Sequence, residues 1–155
     1  MNDLGSWSTE DFDRMSWHDV HVHGFRIVEN DGETGTAELF LDLDYILEWR
    51  QLEEGFEFVV AQATLQFHQV FGLKLLLDYL TPTAGMSAFS LAGIQREQVR
   101  LATGHTSYKW RLEINWPQGF MEFEAPGFTQ LLIGNWYVQP SQCLAAAQRS
   151  VGGAP

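Results

Sequence analysis

The chain has 155 residues, 45% hydrophobic and 14% aromatic, which suits one domain with a packed core and excludes a disordered chain. Its formal net charge of −11 is uneven: residues 1–57 carry 15 of the 20 acids and three of the nine bases, a net of −12, and the rest nets +1. An acidic half repels phosphate and argues against nucleic acid, while a single cysteine, Cys143, argues against an internal disulfide or a cysteine-based zinc site.

The N-terminal "MNDLGSWSTEDFD" has neither the basic start nor the apolar stretch of a signal peptide, and the longest apolar runs are broken by Lys74 and Asp78. A cytoplasmic protein of bacterial type, with no membrane partner, is expected. Ser8 or Thr9 ahead of "EDFDRM" predicts an N-cap and a short helix over residues 9–15. From "HDVHVHGFRIVE" onward the period is two. "NDGE" (30–33) predicts a hairpin turn, and "TAELFLDLDYILEW" (36–49) places Leu39, Leu41, Leu43, Tyr45, Leu47 and Trp49 on one face.

Strands follow over 56–70 and 73–80, joined near Phe71-Gly72, with a loop at 81–86. Residues 87–102 read as a strand bulged near Gly93, "SYKWRLEINW" (107–116) alternates throughout, and "PQG" (117–119) turns into 120–125. Trp110 and Trp116 fall on the apolar parity, and a last strand covers 131–138. The expected fold is all-β, an antiparallel β-sandwich or partly open barrel of about eight strands with a short N-terminal helix. Residues 1–139 form a single β domain, and 140–155 a flexible or partly helical C-terminal tail.

Chemistry concentrates in "HDVHVH" (18–23). Alternation sends Val20 and Val22 to the core, and Asp19, His21 and His23 to the outer face, which the next strand shares through Glu38, Asp42 and Asp44. A tip at residues 31 and 32 would pair His21 with Asp42 and Asp19 with Asp44. Phe25 and Ile27 then miss the core parity, and a bulge at Gly24 would restore it and shift the pairing by one. Acids facing each other need something positive between them: His21 is the default candidate, and an arginine such as Arg26 or Arg50 would also serve. The alternative is a divalent metal on His21, His23, Asp42 and Asp44, although no complete short metal signature is present. There is no nucleophile elbow, phosphate loop or dinucleotide fingerprint, and no cofactor is required.

"WHD" (17–19), "LDLDYILEW" (41–49) and "LQFHQVFGLKLLLD" (65–78) together resemble a group of small bacterial all-β proteins without a settled function. Some all-β proteins of broadly this look are assigned as immunity proteins of polymorphic toxin systems. The resemblance spans residues 12–80, and the second half matches only in kind. It implies a compact β domain with Trp17, His18, Asp19, Asp42, Asp44, Tyr45, Glu48 and Trp49 as distinctive positions, and carries over no catalytic residue. The leading expectation is a non-enzymatic interaction protein that meets a basic protein through its acidic first hairpin. Trp17, Asp19, His21, His23, Asp42, Asp44, Glu48 and Trp49 are its candidate binding residues. A metal-dependent enzyme or small-ligand binder on the His21/His23/Asp42/Asp44 face is the alternative.

Overall fold

The computed structural model describes residues 5–80 and 85–149. Eight strands carry the fold: β1 (Ser6–Ser8), β2 (His21–Glu29), β3 (Ala37–Leu52), β4 (Gly55–Leu77), β5 (Phe89–Arg100), β6 (Thr106–Trp116), β7 (Gly119–Ala125) and β8 (Gly127–Gln139). All pairings are antiparallel, in the order β1-β8-β4-β3-β2-β5-β6-β7, and β7 returns to pair with β4. Six strands, β4-β3-β2-β5-β6-β7, therefore close a ring, and β8 and β1 extend from it. Closure removes part of the exposed edge that an open sheet would present, although β2 meets β5 only at His21 and Val22.

The long strand β4 makes this possible. Its first part pairs with β8 (Phe58↔Gln139 to His68↔Gly127), and its last part with β7 (Phe71↔Glu124 to Leu77↔Gly119). The change falls where Gln69 (φ 51) and Gly72 (φ +67) take left-handed backbone and the register shifts. The two strands read over 56–70 and 73–80 are thus one. The count of eight stands because β1, too short for any period, pairs with β8 (Ser6↔Leu131). Where β7 meets β4 the backbones nearly touch: a Cβ on Gly119 would lie 2.1 Å from the Leu76 carbonyl oxygen.

The expected N-terminal helix is instead a 3-10 turn, Thr9–Arg14. Six residues give little room for an α-helix, and the Thr9 side chain is committed elsewhere, accepting a hydrogen bond from the Phe128 N–H (2.9 Å). The turn lays Phe12 against Trp17 and Trp110, with ring centroids 5.6 and 5.5 Å apart. Trp110, Phe67, Phe123, Phe128 and Leu39, Leu41 and Leu43 of β3 are fully buried, so the core lies inside the ring as the period-two pattern required. Trp116, on the same parity as Trp110, is exposed because it sits at the β6–β7 turn.

The first hairpin differs from its expected register. Asp31 Oδ1 accepts from the Glu33 and Thr34 N–H groups, and Gly35 adopts φ +67, so residues 30–36 form a longer loop than a two-residue turn. His21 consequently faces Asp44, not Asp42, and Gly24 faces Asp42. The bulge expected at Gly24 is there, between Val22 and Gly24, and the one near Gly93 is there too. The Gly24 bulge returns Phe25 and Ile27 to the parity of Leu41 and Leu39. Both stay exposed, because β2 has β5 as its second neighbour only at His21 and Val22. Much of the 81–86 loop and residues 150–155 of the expected tail lie outside the described residues. Residues 140–149 hold a 3-10 turn, Ala146–Gln148, and fold back over the sheet. No helix among the described residues is long and apolar enough to cross a membrane.

Candidate functional site

Asp44 lies mid-strand in β3, between His21 on β2 and Gln62 on β4, with its side chain on the outer face. It is nevertheless fully buried, at 0% exposure. The segment after β8 covers it. Gln139 donates to the Ser141 and Cys143 carbonyls, and Gln148 donates back to Gln139 (2.8 Å), which turns the chain over the sheet. Leu144 is then buried in the same apolar cluster as Ile46 and Val60.

Both carboxylate oxygens of Asp44 are engaged. Oδ2 accepts from His23 Nε2 (2.6 Å), the Leu144 N–H (3.0 Å) and the Cys143 thiol (3.4 Å), and Oδ1 accepts from Arg149 Nη1. Arg149 Nη2 reaches Asp42 (2.5 Å), whose other oxygen accepts from Gln62 (3.2 Å). The positive group between the two acids is therefore Arg149, supplied from the far end of the chain, with His23 beside it; His21 is not that group. A carboxylate this buried demands such partners, since an unpaired one would cost several kcal/mol.

His21 is left with a buried Nδ1 that has no hydrogen-bond partner among the described residues. Burial pushes its pKa below the ordinary histidine value, against the pull of the Asp44 charge. Cys143 lies 3.8 Å from His23 Nε2 despite 120 residues of separation. Burial, then the Asp44 charge, pushes its thiol up to about 11, so it is a protonated donor and a poor nucleophile.

The remaining sequence-predicted residues do not join this cluster. Trp17 is core, its Nε1 donating to the buried Gln130 (2.8 Å). Asp19 takes a left-handed φ of 62° and braces the turn before β2, accepting from Asn115 (2.9 Å) and Gln142 (3.1 Å). Glu48 pairs with Arg50 at the surface. Trp49 is exposed and packs edge-on against Phe58 (4.8 Å), with His18 stacked at 6.0 Å. Trp136 is also exposed, but it pairs with Ala61 while Trp49 pairs with Phe58, so the two lie on opposite sides of the sheet and make no aromatic row.

Glu38 forms a second, separate cluster at the other end of the outer face. It accepts from His68 Nδ1 (2.8 Å), Gln66 (2.9 Å), Asn30 (3.3 Å) and the Gln69 N–H (2.7 Å), and His68 Nε2 meets Thr129 (2.8 Å). Partial burial opposes ionisation, but these donors prevail and hold the carboxyl at about 2. It opens on a depression lined by Asn30, Asp31, Thr34, Thr36, His68 and Gln69.

Sequence reasoning missed Arg149, Leu144 and Cys143 as site residues. One signal for them existed: "FVVAQA" (58–63) is buried at both parities, and a continuous apolar run on a strand marks cover on both faces. No protein-family model, no curated protein and no solved structure matches this chain.

Proposed function

We propose that the protein is a non-enzymatic interaction protein that uses the free edge and acidic loop of its first hairpin to hold a basic partner. The observation that carries this reading is the β2 edge beyond Val22, which has no second strand beside it among the described residues. Ile27 (58% exposed) and Val28 (44%) stand along it, with Glu29, Asp31 and Glu33 exposed at its end. Such an edge can add a strand from a partner, main-chain hydrogen bonds giving affinity and the acidic side chains selecting positive charge. The net charge of −12 over residues 1–57 and the resemblance to immunity-type β proteins favour the same reading. Asp42 and Asp44 take no part in it, since Arg149 already occupies them.

The test is capture of partners from native host lysate by the full chain and by an E29K/D31K/E33K variant. A basic protein should be retained by the wild type, lost by the variant, and released steeply between low and moderate salt. Retention that ignores salt, or that survives the charge reversal, would sink the reading.

A further inference from the structure

We propose that His23, Asp44 and Cys143 bind a single zinc ion, which clamps the C-terminal segment to the β2–β3 hairpin. This lies beyond the partner-binding reading and uses none of its residues. The three donors come from β2, β3 and the segment after β8, and their ligating atoms all lie within 4.8 Å of one another. Their separations are 2.6 Å (His23 Nε2 to Asp44 Oδ2), 3.4 Å (Cys143 Sγ to Asp44 Oδ2) and 3.8 Å (Cys143 Sγ to His23 Nε2). Tetrahedral zinc, with bonds of about 2.0–2.3 Å, holds its ligand atoms roughly 3.3–3.6 Å apart. The nitrogen and oxygen must part by less than an ångström, and the two sulfur distances need only a few tenths.

The donor set selects the metal. One imidazole, one carboxylate and one thiolate suit zinc and exclude magnesium and calcium, which take oxygen. Asp42 is not a ligand, because Arg149 and Gln62 hold its oxygens. The shell behind the ligands is already built: Arg149 fixes Asp44 through Oδ1, and the Leu144 N–H anchors Oδ2, which faces His23 and Cys143. The charges also close. Binding displaces the thiol proton to solvent and requires the His23 ring to carry its proton on Nδ1 instead of Nε2. The ion and Arg149 then balance Asp42, Asp44 and the Cys143 thiolate, with His23 neutral. A quarter of the His23 side chain faces solvent, which gives an ion an entry path. His21, across the ladder from Asp44, keeps its unpartnered buried Nδ1 beside the same carboxylate.

The experiment titrates the untagged, chelator-treated full chain with cobalt(II), then with zinc. One equivalent of cobalt should bind with a thiolate-to-cobalt charge-transfer band in the near ultraviolet. The band should vanish in Cys143→Ser, and affinity should fall about tenfold or more in His23→Gln. Zinc should raise the melting temperature of the wild type more than that of either variant. Both substitutions sit at partly exposed positions, and circular dichroism of the apo proteins checks that each is folded. No uptake at millimolar cobalt overturns the site, as does uptake that Cys143→Ser leaves unchanged, which would place the ion elsewhere.

Discussion

Glu38 and Asp44 stand six residues apart on the outward face of β3, and each has a histidine and a glutamine of neighbouring strands close by. The sequence offers little to tell them apart. The structure separates them by what lies on top. Asp44 is covered by residues 143–149 and is answered by a guanidinium, an imidazole, a backbone amide and a thiol. Glu38 opens on a depression and is answered by neutral donors and His68. The same chemistry becomes structural under cover and remains a titrating surface group without it, so the chain end, more than the strand pattern, decides what a carboxylate does here.

The largest expected effect tests that directly. Asp44→Ala leaves Arg149 half-paired and strips the acceptor from the Leu144 N–H, and breaking a buried pair in this way should cost about 3–5 kcal/mol. Glu38→Ala, at the open cluster, should cost no more than about 1 kcal/mol. Urea unfolding of both variants measures the gap, and equal losses would dissolve the distinction. Leu144→Ala comes next. It removes a buried side chain from the cluster of Ile46 and Val60 and should cost about 2–4 kcal/mol. If the segment merely rests on the surface, the loss will stay within about 0.5 kcal/mol, as for ordinary surface changes.

Much of the fold was legible because its causes are local. Alternation in β6 and in the first part of β3, through Leu43, fixes those strands and their buried faces, and the parity conflict at Phe25 locates the Gly24 bulge. Beyond Ile46 a bulge breaks the period of β3, and Trp49, expected on the face of Leu39 and Leu41, is exposed. What stayed hidden was long-range. The pairing of β7 with β4 depends on a close approach at Gly119, and a glycine in sequence reads first as a turn. The site suffered in the same way: His23 and Asp44 were on the right face, but the partners that define their chemistry come from a segment 99 to 105 residues further along that resembles a fraying end. The sequence points to His21 over His23 as the positive group because the register depends on a longer loop, set by Asp31 accepting two backbone N–H groups, that a turn motif alone does not show.

The smallest expected effect sharpens the open side of the comparison through acid. The Glu38 carboxyl is held at about 2 in the folded chain against an ordinary 4.5. A depressed acid leaves the unfolded chain binding more protons, so its contribution is fully present above about pH 4.5 and drains away as pH falls toward 2. Because the site is open, screening limits that contribution to about 1 kcal/mol. Glu38→Gln keeps the shape and removes the titration, so the difference in stability between wild type and variant should be constant above pH 5 and shrink between 4.5 and 2. His21 acts in a separate window. Its lowered pKa means that the unfolded chain takes up its proton first, so stability is lost as pH falls below about 6.5, equally in wild type and Glu38→Gln. A difference that already narrows at pH 6 would mean that the two clusters are coupled across β3, and the contrast between the covered and the open carboxylate would fail.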